Sequence, residues 1–152
     1  MKAALGAIGR ANPMGERKSG VSLLLEEHAV VLGRVAMALA GDASRAEQVL
    51  EQVARDAGLA REVPPNTKPL AWLLGLTRVA CATQQSKLPL RHRTQGFEPP
   101  PPNTERLGAS EAVPARAALA ALKPTEREAV VLSLVGGLEA ADVATACGVD
   151  LG

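Results

Sequence analysis

The feature that most constrains this chain is the spacing of small apolar residues between Ala46 and Ala57. Ala46, Val49, Leu50, Val53, Ala54 and Ala57 recur at intervals of three and four, which places them on one face of an α-helix. The opposite face carries Arg45, Glu47, Gln48, Glu51, Gln52, Arg55 and Asp56. Either Asp42 or Ser44 can cap this helix, and Ser44 with Glu47 has the spacing of a capping box. The polar face has two readings. It is a solvated surface with Glu51 and Arg55 as an i,i+4 pair, or it is a docking surface.

The same signals extend along the chain. Residues 1–20 are rich in glycine with scattered Lys and Arg, as in a flexible tail. From Val21 to Ala40 a broad apolar face includes Leu24, Val31, Val35 and Leu39, and Gly41 stops the helix. Gly33 weakens its interior by ~1 kcal/mol relative to Ala, so packing must hold it. Leu59 to Pro69 reads as a loop around Pro64-Pro65, with Thr67 as the cap of a helix from about Lys68 to Lys87. Residues 88–113 contain the Pro99–Pro102 run and form a linker, extended around the prolines. Its Phe97 either anchors it or is exposed.

Between Ala115 and Gly148 the punctuation divides the chain into three short helices. Lys123-Pro124 ends the first, Thr125 caps the second with Glu128 completing a capping box, and Gly136-Gly137 closes it. Gly148 closes the third at a C′ position. The expected apolar faces are Val130, Val131, Leu134 and Val135, then Leu138, Val143, Ala144 and Cys147. With one Trp, one Phe and no Tyr, any core consists of Ala, Leu and Val, which favours an all-α fold.

Several functions are not indicated. No paired carboxylates, nucleophile–base constellation, phosphate-binding glycine loop or metal-ligand spacing is present, so neither an enzyme nor a cofactor or metal site is expected. Cys81 and Cys147 fall on apolar sides of predicted helices, as buried thiols in a reducing cytosol do. No stretch approaches a membrane span, and a soluble cytoplasmic protein is expected. The net charge of +1 conceals an asymmetry. Residues 61–93 carry six basic side chains against Glu62, whereas residues 94–152 carry four against eight acidic ones. A basic centre and an acidic end are more informative than the near-zero total.

Two stretches resemble one family. Leu119, Leu122, Pro124, Arg127, Glu128, Leu132, Gly137, Leu138, Asp142, Val143, Ala144, Gly148 and Val149 fall at spacings that resemble region four of sigma-70 initiation factors, most closely the extracytoplasmic-function group. Gly41 to Val53 resembles region two of the same family, whose acidic segment, preceded by a Gly-Asp loop, docks on the β′ clamp helices of core RNA polymerase. The resemblance implies polymerase contact by Glu47, Gln48, Glu51, Gln52 and Arg55. Ala46 and Glu47 match, Gln48 replaces an acid, Glu51-Gln52 inverts a Gln-Glu pair and Ala54 replaces an aromatic. Loss of the bulky anchor implies weakened binding.

The stretch PLAWLLGLTRVACATQQSK is similar to the promoter-melting helix of region two, through Trp72, Leu73, Leu76 and Arg78. Val79, Thr83 and Ser86-Lys87 depart from its asparagine, aspartate and arginine pair. Arg78, Lys87, Arg91 and Arg93 are the expected phosphate contacts, which set position without reading sequence. The family's recognition helix is expected to be missing, because the sequence ends at Asp150-Leu151-Gly152.

These readings imply two small helical domains, a region-two-like three-helix unit at 21–87 and a partial region-four-like helix-turn-helix at 114–152, joined by the 88–113 linker. The function implied is binding of core polymerase, with promoter DNA contact weakened. A second reading is a degenerate sigma-like module that binds an anti-sigma factor or polymerase without starting transcription. The third is a helical interaction protein outside the family.

Overall fold

The computed structural model describes residues 19–88, 114 and 117–149. All regular structure among them is helical: α1 (Gly20–Ala40), α2 (Ala43–Ala60), α3 (Pro69–Ser86), α4 (Pro124–Leu134) and α5 (Ala140–Cys147), with a further helical stretch at 117–121 before α4. Residues 1–18 of the expected tail and nearly all of the expected linker, with Phe97, lie outside the described residues; Ser19 and Gly20, placed in the tail by sequence, instead cap and begin α1. None of these helices is long and apolar enough to cross a membrane.

Helices α1, α2 and α3 pack mutually, α5 packs on α3, and α4 touches both α1 and α5. The apolar period of α2 sets this arrangement. Val49, Val53 and Ala57 are fully buried and Ala46 nearly so, while Ala54 is exposed at the edge of the stripe. Facing them are Leu32, Val35 and Ala36 from α1 and Leu73 and Leu74 from α3. The same continuous core takes Val131 and Leu132 from α4 together with Leu138 and Ala146. The helices on either side of the 88–113 segment thus share one apolar interior. Trp72 is partly buried against it, a helix-packing role.

The helix starts depart from expectation in an instructive way. Of the two candidate caps on α2, Asp42 is used: its Oδ1 accepts from the Arg45 main-chain N–H at 2.9 Å, leaving Ser44 inside the helix. Thr67 does not cap α3, which begins at Pro69 after an extended Lys68. Thr125 does not cap α4, which begins at Pro124 after an extended Lys123. The cause is the same in both. Proline has no N–H to satisfy and its φ already suits a first turn, so it takes the first helical position. The carboxylate that closes the start of α4 is Glu126, accepting from Lys123 N–H at 3.0 Å. Glu128 faces elsewhere. Leu134, expected in the core, is 79% exposed, and Leu132 is buried in its place.

The turn joining α4 to α5 depends on close approach. Gly137 has φ +71°, and Leu138 N–H donates back to the Leu132 carbonyl at 3.2 Å. Gly136 is buried between that carbonyl and Leu74 of α3, with no room for a Cβ. On α3, Gly75 lies against the backbone of Ala146, which lets α5 approach α3 nearly main chain to main chain.

Candidate functional site

Two surfaces carry the residues singled out from the sequence. The first is the outward side of α2. Burial of Val49 and Val53 turns Glu47, Gln48, Glu51 and Arg55 into solvent, and all four are exposed. Gln52 is half-buried and its Nε2 donates to Asp56 Oδ1 at 2.8 Å. The Arg55 guanidinium donates to the main-chain oxygen of Glu51 at 3.3 Å, so Arg55 is steadied along its own helix. The five expected docking residues therefore form one strip, four facing water and one braced by a neighbour. Beside it, Leu50, Val53 and Ala54 join Leu25, Ala29 and Leu32 of α1 in an apolar groove of about 190 Å³. The small side chain of Ala54 helps leave this groove open to solvent.

The second surface is on α3. Ala71, Gly75 and Arg78 share one stripe of the helix, and Lys68 stands just before its first turn. Arg78 is not presented to solvent as a free cation. Its Nε donates to Glu128 Oε2 of α4 at 2.6 Å, with both side chains about three-quarters buried. Lys68 Nζ sits 2.7 Å from Asp142 Oδ2 of α5 and 3.8 Å from Oε2 of Glu139, the residue just before that helix. The carboxylates raise the pKa of both cations: the Glu128 hydrogen bond acts on Arg78, and the Asp142 hydrogen bond and charge act on Lys68. The phosphate contact expected of Arg78 thus requires its pair with Glu128 to open. Lys87 is exposed at the end of α3. Arg91 and Arg93 lie outside the described residues.

Arg127, quoted above for its place in the region-four-like pattern, has a local structural role. It donates to the main-chain oxygens of Leu119, Ala120 and Leu122 at 2.8, 3.2 and 3.1 Å. These are carbonyls at the end of the 117–121 helical stretch, where main-chain acceptors outnumber helical donors, and that of Leu119 also accepts from Leu122 N–H at 3.3 Å. Adjacent Arg127 and Glu128 therefore tie α4 in two directions, one to the preceding helical turn and one to α3.

Cys81 is buried one turn beyond Arg78. Desolvation, with the nearby Glu128 charge adding to it, pushes its thiol up to about 12. Cys147 of α5 is shifted upward as well, chiefly by burial, although Arg78 opposes the shift. Such thiols are weakly nucleophilic. Among the described residues no group of three or more His, Cys, Asp or Glu is placed to hold a metal ion. No family model, curated protein or solved structure matches the chain.

Sequence reading missed the partners of Lys68 and Arg78. The only signal was the opposition of a basic centre to an acidic end, and that opposition gives no pairing.

Proposed function

We propose that this protein is a sigma-like transcription factor that docks on core RNA polymerase, at the β′ clamp helices, through Glu47, Gln48, Glu51, Gln52 and Arg55. The observation that carries the reading is the outward strip on α2: four of these five residues are exposed on a helix whose other side is locked into the core. The resemblance of Gly41 to Val53 to region two supplies the partner. On this reading the protein acts in the cytoplasm, and Lys87, Arg91 and Arg93 supply a weakened phosphate contact with promoter DNA.

One observation favours the second reading, a sigma-like module that acts only through proteins, including an anti-sigma factor. Arg78 is neutralised by Glu128 and the adjoining stripe of α3 is covered by α5, which leaves the melting-helix counterpart little free charge.

The test is co-elution of purified protein with core RNA polymerase, for wild type and for Glu47→Arg/Glu51→Arg. Reversal of two exposed charges leaves the fold intact and weakens binding at least tenfold, since interfacial charge reversal typically costs several kcal/mol. Equal retention of both proteins by the core enzyme refutes the α2 assignment. Capture of an anti-sigma factor without retention by polymerase establishes the second reading.

A further inference from the structure

We propose that the apolar groove between α1 and α2 seats one large apolar side chain, the size of a phenyl ring, projected by a cationic helix of the docking partner. The inference deepens the docking reading of α2 and rests on it for where the partner lies. What it adds is the chemistry that the partner must present. The groove has a floor of Leu32 and Val53, both buried, and walls of half-buried Leu25 and Leu50. Its rims are the exposed Ala29 and Ala54. Each helix supplies one residue at each level, and the top is open because both rim residues are small. Gly33 and Gly58, one turn beyond those alanines on their helices, leave open space where a Cβ would stand.

Size and charge select the occupant. At about 190 Å³ the groove is smaller than the ~300 Å³ at which small-molecule pockets begin. It is slightly larger than the ~150 Å³ apolar cavity that takes one benzene ring. One Phe-sized side chain therefore matches it. All six lining side chains are apolar, so a polar tip would lose its hydration there without a partner. Charge comes from the rim. The residues three before Leu50 and Ala54 are Glu47 and Glu51, exposed carboxylates at adjoining surface positions. Arg55 does not offset them across the groove, because its guanidinium is drawn back along α2 onto the Glu51 main-chain oxygen. A ring carried on a helix between Lys or Arg residues meets both features at once. The ring fills the groove while the cations face Glu47 and Glu51. A second copy of this face would instead bring the same carboxylates together, a like-charge juxtaposition that opposes pairing.

The full-length protein tests the occupant without polymerase. The ligand is a fluorescein-labelled alanine–lysine peptide of about 18 residues, long enough to hold a helix, with one central Phe, and anisotropy reads its binding. Replacing that Phe by Ala should weaken binding about tenfold or more, the factor expected for burying one large apolar side chain. Replacing the lysines by Glu should abolish it. In the protein, Ala54→Phe fills the groove from an exposed position that leaves the core untouched, and should erase the difference between the Phe and Ala peptides. Glu47→Gln/Glu51→Gln should weaken both peptides and flatten the dependence on salt. Equal binding of the Phe and Ala peptides by wild type overturns the groove as the site, and equal binding of the lysine and glutamate peptides overturns the cationic partner. Self-association of wild type that Ala54→Phe abolishes assigns the groove to a second copy and overturns both. With core polymerase, Ala54→Phe should loosen retention; tighter retention places the bulky group on α2 itself, which overturns this inference and leaves the docking reading intact. A protein that polymerase does not retain, but that still discriminates the Phe peptide, refutes the docking reading alone.

Discussion

Replacing a glycine by alanine should have opposite signs at Gly136 and Gly33. At Gly136 an added Cβ meets the Leu132 carbonyl oxygen at 2.5 Å and Leu74 Cδ1 at 2.8 Å. Both are inside normal contact, and the first is a main-chain atom that cannot rotate away. That same oxygen accepts from Leu138 N–H, so relief of the overlap loosens the bond that closes the turn. Overpacking typically costs about 1–3 kcal/mol and a weakened main-chain bond about 1 more. Gly136→Ala should therefore destabilise by roughly 2–4 kcal/mol, a fall in Tm on the order of 10 °C for a domain of this size. Gly33 lies inside α1 with nothing within 4 Å of the added atom, and alanine there should stabilise by about 0.5–1 kcal/mol. Both substitutions reduce the freedom of the unfolded chain similarly, so their difference reports the folded state. Thermal and urea unfolding of the two variants supply the comparison. A Gly136→Ala protein as stable as wild type would mean that the turn does not hold Leu132 and Leu74 as described.

Other consequences follow from the ties between helices. Arg127→Ala removes three hydrogen bonds from a charged donor and should cost about 1.5–3 kcal/mol in urea unfolding; Arg127→Lys should recover only part, because an ammonium lacks the planar fork. Leu73→Ala, at a fully buried position of α3, should destabilise by about 2–5 kcal/mol, measured the same way. The Cys81 thiol, raised from near 9 to about 12 by burial, stays protonated in the folded state while the unfolded state loses its proton above 9. Stability should therefore fall as pH rises between about 9 and 12, with a slope of up to about 1.4 kcal/mol per unit, and Cys81→Ala should flatten that limb. An alkaline limb identical in both proteins would show that the thiol is not held protonated by the fold.

What the sequence determined by itself was local. The period from Ala46 to Ala57 forms a helix with a buried and a wetted side, because residues three and four apart in an α-helix share a face whatever surrounds them. Gly41 and Gly148 end helices in the left-handed conformation for an equally local reason. Even local rules compete: Pro69 and Pro124 displaced Thr67 and Thr125 from the caps by occupying the first helical turn. Tertiary structure decided which carboxylates meet which cations. Arg78 and Glu128 are 50 residues apart and Lys68 and Asp142 are 74 apart, and no periodicity reaches that far. It also decided that Leu132 points inward and Leu134 outward, because α4 packs on α1 and α5 and the turn at Gly136 is seated against Leu74. The charge asymmetry between residues 61–93 and 94–152 was visible from composition. That its two sides meet across α3 is a property of the packed chain, since Coulomb attraction is not directional and only the shape of the core selects the partners.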